Sequence, residues 1–372
     1  MPEDIRTPLA RIGAAARPAG SAAEAEARDF CAAWLRDAGF SVLERPFTYS
    51  ALPGTWGTPI AGLWLFVTAI VTGAGISRGG DAQDRAVLIA ILAIAVLALA
   101  GWWLGRFGTR LIPLMRRRGV NLEARRGVPT VWLIAHLDSK SQPVSLLTRA
   151  RAAIVVVISW AGVLMVWMAS HLLSVHPAIL QSVLLVPTIC AAVAAVPLLL
   201  SWVGSQGAGS LDNATGVAAI LGAARLVDLA TPIGVVVTSA EELGLAGARA
   251  WVEGVPRGVA VNCDGVDDQG DLAITTSGPG RELWHLASLA SVWGPAIRIR
   301  RGLPGVLLDS TAFADQGWPA CTISRGNRSS LARAHTTRDT LDALSGTGVE
   351  KVAGVIAFLA GAIIAGNSSS EY

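Results

Sequence analysis

Charged residues are scarce in this sequence. Of its 372 residues, 15% are charged and 52% are hydrophobic. A soluble enzyme usually has roughly a quarter of its residues charged, so we expect part of this chain to lie in a lipid bilayer. The formal net charge is only +3, and no stretch alternates basic with aromatic residues. These features exclude nucleic acid as an expected partner.

The sequence also lacks paired cysteines and an apolar N-terminal segment. Cysteines that are far apart and form no CxxC motif are typical of small core residues in a reducing compartment, not of a disulfide scaffold. The four cysteines are Cys31, Cys190, Cys263 and Cys321. Because the first 20 residues contain no apolar run, we expect no cleavable signal peptide.

Four stretches contain no Asp, Glu, Lys or Arg and are long enough to cross a bilayer, which takes about 20 residues. They are residues 57–77, 86–105, 152–173 and 178–203. Several tryptophans lie near their ends, as in the aromatic belt of membrane proteins. We expect four transmembrane helices in two inserted hairpins, within 51–118 and 151–204. Buried helices of a large soluble domain are the alternative.

Positive charges flank the two hairpins on one side only. The basic residues near those ends are Arg106, Arg110, Arg116, Arg117, Arg118, Lys140, Arg149 and Arg151. The opposite loops contain only Arg78 and Arg85. Since positive residues favour the cytoplasmic side, the sequence predicts a multi-pass membrane protein whose soluble part is cytoplasmic.

The remaining pieces, 1–50, 119–150 and 205–372, have alternating helix and strand patterns and are interpreted as one domain. Unbroken apolar runs rich in β-branched residues are typical of strands buried on both faces. Such runs occur at 130–135, 233–239, 258–263 and 319–323. Apolar residues at helical spacing occur between these runs, and also at 21–38 and 348–366. The segment 348–366 is interpreted as a core helix. We therefore expect an α/β fold with a mostly parallel central sheet and helices on both faces.

Acidic and imidazole side chains follow the predicted strands. In an open α/β sheet, sites form beyond the carboxyl ends of the strands. The candidates are His136, Asp138, Asp212, Glu241, Glu242, Asp264 and His335. Taken singly, Asp212 is also a good helix cap, and His335 has an ordinary surface role open to it. Together, carboxylates and imidazoles without a thiolate predict a hydrolytic site for zinc or a similar divalent ion.

The motifs around these residues resemble the M28 family of zinc peptidases. They are "AHLDS", "GSLDNATGVAAIL", "TSAEELGLAGARAW", "VNCDG" and "AHTTRDTLD", in the family's order, together with "LDSTAFADQGWPACTI". The resemblance covers the three soluble pieces and leaves out both hairpins. It implies a zinc-exopeptidase-like fold and a site for two Zn²⁺ or other divalent ions.

The resemblance also implies roles for the candidate residues. One ion is expected at His136, Asp212 and Asp264, and the other at Asp212, Glu242 and His335. Glu241 is expected to be the general base that takes a proton from the attacking water. Asp138 is expected to accept a hydrogen bond from the His136 ring and fix its tautomer.

The chain departs from the family pattern between two of its motifs. There are 75 residues between His136 and Asp212, including the second hairpin. We hypothesise that the mouth of the site therefore lies close to the bilayer and that the hairpin restricts what enters.

Five further polar residues have ordinary interpretations. His171 and His176 could form a metal pair, but a position at the boundary of the bilayer is favoured. Cys263 is interpreted as a small strand residue, not a metal ligand. Arg325 and Arg328 could bind a substrate carboxylate, although exposed loop arginines are common.

These features predict a membrane-anchored di-zinc aminopeptidase that hydrolyses N-terminal residues from peptides. A carboxypeptidase or a glutaminyl-cyclase-like enzyme on the same fold is an alternative, although the latter uses a single zinc. A catalytically inactive receptor or scaffold is another. A transporter is disfavoured because the spans contain no Asp, Glu, Lys or Arg. The residue preference and the oligomeric state are left open.

Overall fold

The chain forms two compact units. The computed structural model describes residues 5–173, 176–277, 297–302 and 306–368. The first unit comprises Met1–Ala51, Thr109–Ser141 and Gly204–Tyr372, and the second comprises Leu52–Gly108 and Gln142–Val203. Residues 142–150, grouped with the soluble pieces in the sequence analysis, belong to the second unit here.

The first unit is built on an eight-stranded sheet. The strands are β1 Ser41–Ser50, β2 Arg116–Arg126, β3 Val131–His136, β4 Ile233–Thr238, β5 Val259–Val266, β6 Asp271–Ser277, β7 Ile297–Arg301 and β8 Ala320–Gly326. Their order across the sheet is β1-β2-β4-β3-β5-β8-β6-β7.

The sheet is mixed, with a parallel centre. β4, β3, β5 and β8 run parallel to one another. β2 is antiparallel to both β1 and β4, and β6 is antiparallel to β8. β6 and β7 pair in parallel at one edge of the sheet. The mostly parallel sheet predicted from the sequence is therefore correct for the centre and for this edge pair, but not where β1, β2 and β6 join their neighbours in antiparallel orientation. β2 is not predicted as a strand because its sequence, "RRRGVNLEARR", contains no apolar run.

The described helices are α1 Arg6–Ile12, α2 Ala22–Asp37, α3 Leu52–Arg78, α4 Gly80–Trp103, α5 Thr109–Leu111, α6 Leu146–Ser170, α7 Pro177–Leu199, α8 Thr215–Leu226, α9 Ala246–Val252, α10 Asp309–Ala314, α11 Arg328–Arg333 and α12 Thr347–Ser368. Short π-helical turns at Leu104–Gly108 and Ser210–Ala214 precede α5 and α8, and a 3₁₀ turn spans Leu341–Ala343.

Helices cover both faces of the sheet, as side-chain alternation in the strands requires. On one face, α2, α8 and α12 pack over aliphatic strand residues such as Leu133 and Val235. On the other face, α9 and α10 contribute to an aromatic cluster in which Trp132, Trp251 and Phe313 are buried. Both faces of the central strands are therefore dry, which explains their unbroken apolar sequences.

The second unit consists of the long apolar helices α3, α4, α6 and α7. α3 and α7 approach closely at Gly62, where an added Cβ would collide with the backbone of Leu198 and Leu199. The outward side chains are apolar too: Leu92, Val157 and Ile158 are at least 65% exposed. Exposed apolar faces of this extent suggest association with a membrane.

Five described helices are long and apolar enough to cross a membrane by length and composition, namely α3, α4, α6, α7 and α12. α12 differs from the other four because it belongs to the first unit, where Val352, Ile356 and Leu359 are buried in the sheet's core. Its packing matches the core helix expected from the sequence.

Candidate metal centre

The end of β3 supplies the first histidine. His136 is 1% exposed, and its Nδ1 lies 3.0 Å from the backbone oxygen of Asp138. A carbonyl oxygen can only accept, so Nδ1 carries the proton and Nε2 is left as the atom that can bind a metal.

The glutamate pair follows β4 through a sharp turn. Ala240 has φ +58°, a left-handed conformation that is uncommon for a residue with a Cβ. The turn directs two backbone N–H groups at Asp138, whose carboxylate accepts from Glu241 N at 3.0 Å and Glu242 N at 3.2 Å.

This geometry corrects the expected role of Asp138. Its carboxylate is 3.8 Å from His136 Nδ1, too far for a hydrogen bond, while its backbone oxygen makes that contact. The carboxylate is occupied by the main chain of the glutamate pair instead. Asp138 therefore positions Glu241 and Glu242 through its side chain, and His136 through its main chain.

Asp212 is placed between the two histidines. Its Oδ1 lies 3.2 Å from His136 Nε2, and its Oδ2 lies 2.9 Å from His335 Nε2. The peptide bond that follows Asp212 is cis. The main chain is held by Asp339, which accepts hydrogen bonds from Leu211 N at 2.6 Å and Asp212 N at 3.1 Å.

Two groups of three ligand atoms share Asp212. His136, Asp212 and Asp264 form one, named the Asp264 trio; Asp212, Glu242 and His335 form the other, named the Glu242 trio. Within each trio the ligand atoms lie within 4.8 Å of one another. The structure thus brings together all five residues predicted as ligands.

The donor atoms suit a hard or borderline divalent ion. His136 Nε2 and Glu242 Oε1 are two of the thirteen buried side-chain polar atoms that have no hydrogen-bond partner among the described residues. Buried polar atoms are rarely left so, and each of these two belongs to one of the trios. Nitrogen and carboxylate oxygen donors without a thiolate are typical of zinc enzymes.

The two neighbouring glutamates have opposite pKa shifts. Burial, with the nearby charge of Glu242, raises the pKa of Glu241 well above its usual range, although His136 acts to lower it. Burial also acts to raise the pKa of Glu242, but His335 and Lys140 outweigh it and lower that pKa to about 2. Pairs of acids separated in this way are characteristic of catalytic sites.

Both histidines have raised pKa values. Burial acts to lower the pKa of His136, but Glu241 and the two carboxylates of its trio raise it well above the usual range. For His335, burial again acts to lower the pKa, and Glu242 and Asp212 raise it more. Without a bound ion, both imidazoles therefore favour the protonated form.

Two residues of the site were not identified from the sequence. Asp309 is fully buried, accepts a hydrogen bond from Thr238 Oγ1 at 2.5 Å, and has its pKa raised by burial to about 6. Lys140, counted earlier among membrane-flanking charges, contacts Glu242 Oε2 at 2.5 Å. The motif that contains Asp309, "LDSTAFADQGWP", was a usable signal.

None of the other residues considered from the sequence belongs to either trio. The ring of His171 contacts Trp167 in an edge arrangement with ring centroids 4.8 Å apart, and exposed His176 caps α7. Burial and the charge of Asp264 raise the pKa of Cys263 well above the usual range, so its thiol stays neutral. Arg325 donates to Gly270 O at 3.4 Å. Arg328 is the exposed first residue of α11.

Comparisons with known proteins agree with this fold. The model of peptidase family M28 matches residues 165–360, a range that includes every member of the trios except His136. A comparison with curated proteins gave no significant match.

Solved structures share the fold at low identity. The aminopeptidase from Aneurinibacillus sp. strain AM-1 is 14% identical with a TM-score of 0.53, over 95% of this chain and 92% of that chain. BSAP, a zinc aminopeptidase from Bacillus subtilis, is 13% identical with a TM-score of 0.54, over 95% and 93%. Tannerella forsythia glutaminyl cyclase is 14% identical with a TM-score of 0.51, over 95% and 94%.

Proposed function

The chain belongs to peptidase family M28, and we propose that it is a membrane-anchored di-zinc aminopeptidase that removes N-terminal residues from peptides. The observation that carries this proposal is the position of Asp212, which presents one carboxylate oxygen to each histidine. A carboxylate in that position is suited to bridge two ions.

The two trios would hold the ions. Zinc or another divalent ion bound there supplies a Lewis acid that polarises the scissile carbonyl and makes a water acidic enough to attack near neutral pH. The roles of general base and of positioning residues are assigned to side chains of this protein.

Glu241 is proposed as the general base. It belongs to neither trio, yet its Oε2 lies 3.9 Å from His136 Nε2, so it borders the place where a water would attack. Its raised pKa suits a group that takes a proton from that water and passes it to the departing amine. Glu242, whose pKa is about 2, stays ionised and suits a ligand.

Asp138 and Asp339 are proposed as positioning residues. Asp138 fixes the main chain of both glutamates, and Asp339 fixes the main chain at Asp212. Neither carboxylate belongs to a trio. They act by holding the ligands and the base at the spacing that the trios require.

Membrane anchoring is proposed for the second unit. Its four helices expose apolar side chains such as Leu92 and Val157, which water would cover at a large cost in free energy. A cytoplasmic location of the first unit remains a prediction from the arginine bias. The position of the site's mouth near the bilayer remains a prediction as well.

A substrate panel tests the proposed activity. The full chain, purified in detergent and loaded with zinc, should hydrolyse aminoacyl fluorogenic substrates but not their N-acetylated forms. Release of C-terminal residues would indicate a carboxypeptidase, and cyclisation of N-terminal glutamine would indicate a cyclase.

The matched variant is Glu241→Gln, which keeps the size and removes the base. We expect kcat to fall by about 10²- to 10⁴-fold while zinc content is unchanged. Zinc-loaded wild type that turns over no substrate, or a variant as active as wild type, would contradict the proposal.

A further inference from the structure

Lys140 is a mostly buried cation at the candidate metal centre. Its Nζ lies 2.5 Å from Glu242 Oε2, and its side chain is 14% exposed. Of the 30 lysines and arginines in the sequence, only Lys140 and Lys351 are lysines. Lys351 is exposed on α12. A charged amine is costly to bury without a partner, so the contact with Glu242 accounts for its position.

The main chain on both sides of Lys140 is fixed. Ser139 Oγ donates to Gly207 O at 2.9 Å. Ser141 and Gly204 exchange two backbone hydrogen bonds of 3.0 and 2.7 Å. The lysine is therefore held on a clamped loop, and its side chain is directed into the site by the fold.

The two oxygens of Glu242 have different neighbours. Oε1 faces His335 Nε2 at 3.3 Å and is the atom without a hydrogen-bond partner, whereas Oε2 faces the lysine. An ion in the Glu242 trio would be held through Oε1, with the ammonium group still on Oε2. The ion and the ammonium group would then share one carboxylate and repel each other.

The Asp264 trio has no such neighbour among the described residues. The main charges acting on Asp264 are those of Asp212, His136 and Glu242. Oδ1 of Asp264 lies 3.7 Å from Nε2 of His136. The two trios therefore differ by one fixed positive charge.

We propose that Lys140 is a built-in counter-charge of the Glu242 trio, which neutralises Glu242 when no ion is bound and weakens the affinity of that trio for its divalent ion. The ion in the Asp264 trio is then the more tightly held of the two. This inference rests on the proposed function in requiring two ions.

Zinc titration of the full chain tests the inference. The protein, in detergent and stripped by a chelator, is titrated with Zn²⁺ against a chromophoric competitor. In Lys140→Met, we expect the weaker zinc to bind about 10-fold more tightly, because outer contacts change metal affinity on this scale. The tighter zinc should be unaffected. Damage to the structure alone would not tighten binding.

Three further variants make the test specific. Lys140→Arg keeps the charge and should keep the wild-type affinities, and Lys351→Met is the matched lysine control, which should change neither. In a His335→Ala background, which lacks the Glu242 trio, Lys140→Met should have no effect on the remaining zinc.

Thermal unfolding gives a second readout. Without zinc, Lys140→Met should unfold at a lower temperature than wild type because Glu242 loses its partner. With saturating zinc, the difference should disappear.

Weaker or unchanged binding of the second zinc in Lys140→Met would overturn the role of Lys140 and leave the peptidase proposal intact. Wild type that binds no zinc at all would contradict both.

Discussion

The two trios share Asp212 but lie in different electrostatic surroundings. The Asp264 trio borders Glu241 and is influenced by Asp309, two buried carboxyl groups whose pKa values are raised. The Glu242 trio borders Lys140, which helps to lower the pKa of Glu242 to about 2. Beside the Asp264 trio lie two carboxyl groups with raised pKa values, Glu241 and Asp309. In the Glu242 trio, the negative charge of Glu242 is balanced by Lys140.

This difference suggests a division of work within one centre. Proton transfer belongs on the side of Glu241, a carboxyl group outside both trios whose pKa is raised by burial. The side of Glu242 has a carboxylate that remains ionised and is suited to holding an ion. The adjacent positions of Glu241 and Glu242 in the sequence are therefore explained by opposite roles.

Removing the shared ligand should have the largest effect. In Asp212→Ala both trios lose a donor, so we expect zinc affinity to fall by more than the roughly 10- to 100-fold cost of losing an outer contact. Activity should fall below detection. Metal analysis after gel filtration and the aminoacyl substrate assay measure both. Retention of two zinc ions would show that Asp212 does not join the trios.

Removing a ligand that belongs to only one trio should abolish zinc binding at that trio and leave the other trio able to bind zinc. Asp264→Ala and His335→Ala are each expected to retain about one zinc per chain, since the other trio keeps its three donors. Competition titrations should give the higher affinity for His335→Ala, which keeps the trio without the lysine. Equal zinc affinities in Asp264→Ala and His335→Ala would contradict the proposed difference in affinity between the two trios.

The pH dependence of zinc binding should sharpen the comparison. His136 and His335 have raised pKa values in the ion-free chain, so each must lose a proton before it binds zinc. We therefore expect affinity to rise with pH, by up to about 10-fold per pH unit for each proton released. Calorimetry in buffers of different ionisation enthalpy counts these protons. An affinity independent of pH would contradict the assigned protonation states.

The same shifts predict the stability of the ion-free chain. A raised histidine pKa contributes stability that is fully present below the unfolded value of about 6.5 and is lost as pH rises through the folded value. The ion-free protein should therefore be destabilised by these groups as pH rises above neutral, and bound zinc should remove that dependence.

Loosening an outer contact should have the smallest effect. Asp339→Asn keeps one acceptor and loses the other of the two hydrogen bonds to Leu211 N and Asp212 N. We expect the free energy of unfolding to fall by about 1–3 kcal/mol and both zinc affinities to fall together. Denaturant unfolding and zinc titration measure this. A change confined to one trio would mean that Asp339 does not act through the shared ligand.

The sequence predicts much of the fold because each central strand is a local signal. β3, β4, β5 and β8 are short apolar runs, and the parallel arrangement brings the residues that follow them to one edge of the sheet. β2 has no such run: it begins with three consecutive exposed arginines, and two of its later charged residues, Glu123 and Arg126, are themselves buried.

The contacts inside the site were harder to predict. That Asp138 uses its backbone oxygen for His136 and its carboxylate for Glu241 depends on the turn at Ala240, which has no glycine to mark it. Lys140 is predicted among the charges that flank the membrane, whereas its side chain contacts Glu242, which is distant in sequence. Such contacts are set by tertiary structure, not by local pattern.

Anomalous diffraction at the zinc edge, from zinc-loaded crystals of the full chain, tests the shared-ligand account most directly. The account predicts two peaks about 3.5–4 Å apart, one on each side of the Asp212 carboxylate, with the peak beside Glu242 of lower occupancy at limiting zinc. A single peak, or two peaks of which neither contacts Asp212, would contradict it.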